Sequence, residues 1–162
     1  MKKLCLMIIL IVVLTDQMSK LYINSLIDEK GFIEIFSFIK LVEVWNSGIS
    51  FGLFSKLPYS DIFFSTFSIL IIYILFYLLY KSDDKLTCLG FTLMIGGATG
   101  NVADRIYWGA VYDFIYFHIE DWYWPAFNLA DLYIICGMFT LLYKWYIYDT
   151  FTSKEGNKYN DC

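Results

Sequence analysis

Charge is scarce in this chain. Only 17% of its 162 residues are Asp, Glu, Lys or Arg, against about 25% in a soluble domain. The net charge of −4 argues against a nucleic-acid partner. There is a single histidine, His118, and no His/Cys spacing that would ligate a metal. A lone His in an aromatic stretch reads as an interfacial side chain before it reads as a base. Glycine-rich phosphate loops and internal repeats are also missing. The four cysteines do not make a disulfide framework, since none falls in the connections 24–61 or 107–126. Packing is expected of Cys5, Cys88 and Cys136, while Cys162 is the last residue of a polar tail expected to fray. No small-residue cleavage site follows MKKLCLMIILIVVL, so that stretch reads as a retained helix and not a secretory signal.

What is present is apolar. Hydrophobic residues make up 59% of the chain and aromatics 21%. Four runs, 4–23, 62–80, 86–106 and 127–146, have the length of roughly 20 residues that crosses a bilayer core about 30 Å thick. The expected fold is an all-α membrane protein, one domain over 1–162. Four transmembrane helices are joined outside by two connections, 24–61 with a small β-rich lid and 107–126 as a second outer loop. The first contains IEIFSFIKLVEVWNSGISFGLF, β-branched and aromatic with a turn signal at Asn46–Gly48. The second carries Tyr107, Trp108, Trp122, Tyr123 and Trp124, rings that favour headgroup depth.

Basic residues set the orientation. Lys2, Lys3, Lys81, Lys85, Lys144, Lys154 and Lys158 fall on one side, and Lys30, Lys40 and Lys56 on the other. The positive-inside rule then puts both termini in the cytoplasm.

Orientation fixes the depth of the few polar residues inside the runs. Asp16 lies twelve residues beyond Leu4, about 18 Å along an outward-running helix. Asn101, Asp104 and Arg105 close the third run, which also points outward, and Asn128 and Asp131 open the fourth, which points back. Helix parity alone brings them to one level near the outer face. Asn101 shares a helix face with Asp104 or Arg105, and Asn128 with Asp131, being three or four residues apart. Gly96 and Gly100 form a small-xxx-small step that lets the third helix approach a neighbour. Each such group costs about 2.5–3.5 kcal/mol at mid-membrane on insertion scales, so five Asn and Asp side chains at one depth point to a functional site more than to interhelical glue.

Two carboxylates in such a site cannot both ionise cheaply and would share a proton, the arrangement of an acid/base pair. Asp113, among Val111, Tyr112, Phe114 and Ile115, stands where apolar neighbours disfavour charge, and Asp131 at a helix start where the dipole favours an anion. Spacing alone leaves either Asp104 or Asp113 as the partner of Asp131. A proton-coupled transporter would carry polar groups along a full path, yet the inner half of each run is nearly bare. A presenilin- or prepilin-peptidase-type protease would carry a GxGD-type signature, which is missing. A pure scaffold would tolerate single Asp→Asn changes.

DQMSK (16–20), NSGISFG (46–52), GGATGNVADR (96–105), VYDF (111–114) and FNLAD (127–131) together resemble the five ordered motifs of bacterial lipoprotein signal peptidase, signal peptidase II. Ser50 departs from the Ala usual there, a change expected to touch packing and not chemistry. The resemblance implies an aspartic endopeptidase of the bacterial cytoplasmic membrane, without metal or organic cofactor. Its substrates would be prolipoproteins bearing a diacylglyceryl group, cut just before the modified Cys, with membrane lipids around it and a monomeric state favoured. It also implies Asp113 and Asp131 as the catalytic pair. Asn46, Asn101, Arg105 and Asn128 would line the substrate pocket, Asp16 and Asp104 would support it, and Lys20 and Gly48 would bind substrate or support the site.

Overall fold

The computed structural model describes residues 1–48, 59–120 and 122–158. Four helices, α1 (Lys2–Lys30), α2 (Ser60–Lys81), α3 (Lys85–Trp108) and α4 (Leu129–Lys158), carry a four-stranded antiparallel sheet between them. Its strands are β1 (Ile33–Phe36), β2 (Ile39–Asn46), β3 (Val111–Ile119) and β4 (Trp122–Phe127), in spatial order β1-β2-β3-β4. Among the described residues, three stretches are long and apolar enough to cross a membrane: Lys2–Asp28, Ile62–Lys81 and Lys85–Trp108. In α4 the apolar centre is flanked by Asp131 at one end and by Tyr143, Lys144 and Trp145 at the other.

The helices are longer than their apolar runs. α1 continues to Lys30, and α4 continues through the polar segment, expected to fray, as far as Lys158. Ser50 and Cys162 lie outside the described residues. The second outer connection is not a loop: its aromatic and β-branched residues form β3 and β4, with Val44 opposite Asp113 and Ile115 opposite Phe127. The turn signal at Asn46–Gly48 does not close the hairpin either. The chain reverses at residues 37–38, and Asn46 ends β2, its Oδ1 accepting the Gly48 N–H at 3.1 Å. At the end of α3, Gly109 takes φ 77° and donates its N–H to the Arg105 carbonyl, a left-handed stop that aims the chain into β3.

Apolar clusters pack both ends. Cys5, Leu75, Leu79, Cys88 and Ile95 form one cluster, and Ile27, Leu41, Tyr112 and Phe114 seat the sheet on the end of α1. Cys136 does not pack as expected; it is exposed on α4. Leu10, Leu21, Phe67 and Phe139 are likewise more than half exposed, as side chains facing hydrocarbon would be.

Small residues set how closely the helices meet. A Cβ on Gly96 would stand 2.6 Å from Val12 Cγ1, and one on Gly100 2.5 Å from Asp16 Oδ2, so this step fits α3 against α1. Gly97 performs the same service toward α4, where a Cβ would overlap the Ala130 carbonyl. The Gly97→Ala variant should therefore lose on the order of 1–3 kcal/mol by overpacking, despite the better helix propensity of Ala. Thermal unfolding in detergent measures this, and an unchanged Tm would show that the two helices can part without loss.

Candidate active site

α1 and α3, which run in the same direction, bring the first of the polar residues together. On α1, Asp16 and Lys20 are one turn apart and paired at 2.8 Å. Lys20 also reaches Asp104 of α3 at 2.7 Å and donates to Asn101 Oδ1 at 3.1 Å. All four side chains are buried. Gln17, which sequence reasoning passed over, donates to Asp104 Oδ1 at 2.8 Å and to Asp16 Oδ2 and the Gly100 carbonyl, both at 3.2 Å. Its position beside Asp16 in DQMSK was the available signal.

The start of α4 is built into this cluster. The Asn128 Oδ1 accepts the Asp131 N–H at 3.1 Å, and Asp131 Oδ2 accepts the Asn128 N–H at 3.2 Å, a reciprocal capping box. Asp16 Oδ1 accepts the Ala130 N–H at 2.9 Å. Three N–H groups that a helix start leaves without intrahelical partners are thus satisfied, one of them by a carboxylate from another helix.

The sheet supplies Asp113. Its Oδ1 accepts from Asn128 Nδ2 at 2.6 Å and its Oδ2 from Asn46 Nδ2 at 3.1 Å. The Gly48 N–H holds the Asn46 amide in the orientation that turns its nitrogen toward Asp113. Likewise Asn101 Oδ1 receives Lys20 and Asn128 Nδ2, so its own nitrogen faces Asp131 Oδ1, at 2.8 Å. Amide side chains therefore link Asp113 to Asp131 through Asn128 and Asn101.

Both carboxyls line a cavity of about 410 Å³. Asn46, Asn101 and Arg105 contribute polar walls, and Phe63, Phe64 and Phe67 of α2 an apolar one. Arg105 donates to the Gly48 carbonyl at 3.0 Å, while its Nε is buried without a partner among the described residues. Burial, and then the nearby charge of Asp131, raise the Asp113 carboxyl from 3.8 to about 7; the Asn46 and Asn128 hydrogen bonds pull the other way. Near neutral pH, Asp113 can therefore hold a proton and give it up.

Every residue assigned to the site from sequence lies in this one network, with a division inside it. Asp104 does not line the cavity: it is held by Lys20, Gln17 and the Tyr112 N–H at 3.2 Å. His118 lies further along β3, opposite Tyr123, and is not part of the lining. The aromatic wall of α2 went unnoticed because nothing distinguishes these Phe residues from others in an apolar run.

A family model described as Signal peptidase (SPase) II matches residues 8–147. The chain is similar to a lipoprotein signal peptidase of Anaplasma phagocytophilum (strain HZ), 47% identical over 82% of this chain and 85% of that protein. It is also similar to one of Anaplasma marginale (strain Florida), 45% identical over 83% and 79%. Among solved structures, a bacterial membrane enzyme determined by the in meso method at 1.9 Å resolution superposes with a TM-score of 0.77. It is 26% identical, over 88% of this chain and 92% of that one.

Proposed function

The chain belongs to the signal peptidase II family, and we propose that Asp113 and Asp131 are the two carboxylates with which it hydrolyses its substrate. It is a peptidase that removes signal peptides from prolipoproteins, and a multi-pass bacterial membrane protein. The observation that carries the proposal is that these two carboxyls line one cavity while Asp104 is tied up in an ion pair behind it.

The protonated Asp113 donates to the oxygen of the scissile carbonyl. Asp131 removes a proton from the water that attacks the carbonyl carbon. A tetrahedral gem-diol results. As its C–N bond breaks, Asp131 returns its proton to the leaving nitrogen, and one diol hydroxyl re-protonates Asp113. Asn46 and Asn128 hold the Asp113 carboxyl by both oxygens, and Arg105 offers N–H donors to substrate carbonyls. The Phe63, Phe64 and Phe67 wall suits an apolar substrate held just before a diacylglyceryl-modified Cys.

In this reading α4 is the fourth span, both termini are cytoplasmic and the cavity opens near the outer face. Lys2 donates to the carbonyls of Leu79 and Ser82, and Lys144 pairs with Asp84 at 2.9 Å. These contacts gather the N-terminus, the α2–α3 connection and Lys144 at one end, together with Lys81 and Lys85, as the positive-inside rule asks. The sheet and most of its aromatics occupy the other.

The test is signal-peptide release from a diacylglyceryl-modified prolipoprotein by purified enzyme in detergent, followed by gel shift. Asp131→Asn should cut turnover by about 10³-fold or more, the range of a lost general base. Asp104→Asn should lower turnover only together with Tm. A dead but well-folded Asp104→Asn beside an active Asp131→Asn would overturn the pairing. Among the described residues no group of three His, Cys, Asp or Glu side chains is placed to hold a metal ion, so EDTA should leave turnover unchanged. Loss in EDTA that zinc restores would count against an aspartic mechanism.

A further inference from the structure

Strand alternation gives the sheet two faces, and hydrolysis uses one. Asn46, Val111 and Asp113 line the cavity already described. Glu43, Trp45 and Tyr112 lie on the opposite face, with Trp45 directly across from Tyr112 in the β2–β3 register. There they line a second cavity of about 140 Å³, closed by the outer part of α1 and by Trp108 at the end of α3. The rings stand together, Trp45 at 5.0 Å from Tyr112 and 5.9 Å from Trp108 between centroids.

Two features mark this cavity as more than a packing gap. Tyr112 is 3% exposed, and its hydroxyl is buried without a hydrogen-bond partner among the described residues. Leaving such a group unmatched costs about 1–3 kcal/mol. Burial, and then the charges of Glu43 and Asp28, push that hydroxyl up to about 12, so it stays neutral with its lone pairs free. The second feature is the sign of the charge. Lys20 lines the cavity, but it is 5% exposed and is matched by both Asp16 and Asp104. With that lysine already paired, the carboxylate of Glu43 is the charge left to face an occupant.

We infer that this cavity is a lipid-headgroup site, built to take the primary ammonium of a phosphoethanolamine lipid. The faces of Trp45, Trp108 and Tyr112 attract a cation, Glu43 supplies a carboxylate, and the Tyr112 oxygen accepts an N–H. A trimethylammonium can use the rings but has no N–H to donate. An anionic glycerol headgroup meets repulsion from Glu43. The source is a lipid and not a soluble amine because Trp45 and Trp108 stay 42% and 56% exposed beside the cavity, as indoles at headgroup depth do.

The test uses delipidated full-length enzyme in detergent, doped with equal amounts of dioleoyl phosphatidylethanolamine, phosphatidylcholine and phosphatidylglycerol, and read by native mass spectrometry. One phosphatidylethanolamine should be retained roughly tenfold over either competitor, the size of a hydrogen bond to a charged group. Glu43→Gln and Tyr112→Phe, neither of which removes a group from the hydrolytic cavity, should each abolish most of that preference. Equal retention of the three lipids, or a preference that survives either substitution, overturns the assignment.

Discussion

Asp113→Asn should abolish turnover and, in the same protein, flatten the loss of thermal stability between pH 5 and pH 8. The Asp113 carboxyl rises from 3.8 to about 7 on folding. The folded state thus binds its proton more tightly than the unfolded chain does. The stability this gives is complete below pH 3.8 and is lost as pH climbs through about 7. At 1.36 kcal/mol per pKa unit the full swing is on the order of 4 kcal/mol. An Asn at 113 carries no such proton. Its amide nitrogen would face the donors that Asn46 and Asn128 now aim at the carboxyl, a cost that is constant with pH and lowers Tm without tilting it. Turnover and Tm measured across pH 5 to 8 for both proteins give the answer. A variant whose Tm falls with pH as steeply as that of the parent would show that Asp113 is not the group being titrated. The parent's kcat/KM should also decline above about pH 7, as the proton donor is lost.

A second large effect is expected at Lys20. Its ammonium lies between Asp16 and Asp104 at 2.8 and 2.7 Å, with all three side chains nearly inaccessible. Lys20→Met leaves two buried carboxylates facing each other, and breaking such an arrangement from one side costs about 3–5 kcal/mol. It also takes one of the two donors from Asn101 Oδ1, freeing the amide to turn its nitrogen away from Asp131. Tm and turnover should fall together. Adding Asp104→Asn should recover part of the Tm, because one of the stranded charges is then gone. If Lys20→Met melts within a degree or two of the parent, the trio is not a stabilising unit.

The polar level was legible in sequence because it needs only helix direction and a fixed rise per residue. Asp16, Asn101 and Asn128 could be placed at one depth without knowing any contact. The choice between Asp104 and Asp113 could not be made that way. Asp104 is withdrawn from the cavity by Lys20, a partner from a helix more than eighty residues earlier. The second outer connection looked like a loop because β3 pairs with β2 across the whole of α2 and α3, and no local pattern reports a partner so distant. The hairpin was displaced for a related reason: Asn46–Gly48 has the stronger turn chemistry, yet the reversal uses Ser37 and Phe38.

The carboxylate of α1 that receives the Ala130 N–H also bears on biogenesis. The first helix to emerge during synthesis holds an acceptor for a donor that does not exist until α4 is made. Asp131 arrives with the same turn of helix. Under the proposed mechanism, the centre has its acid but no base until α4 is made. In the proposed mechanism, proteolytic competence comes with the docking of α4.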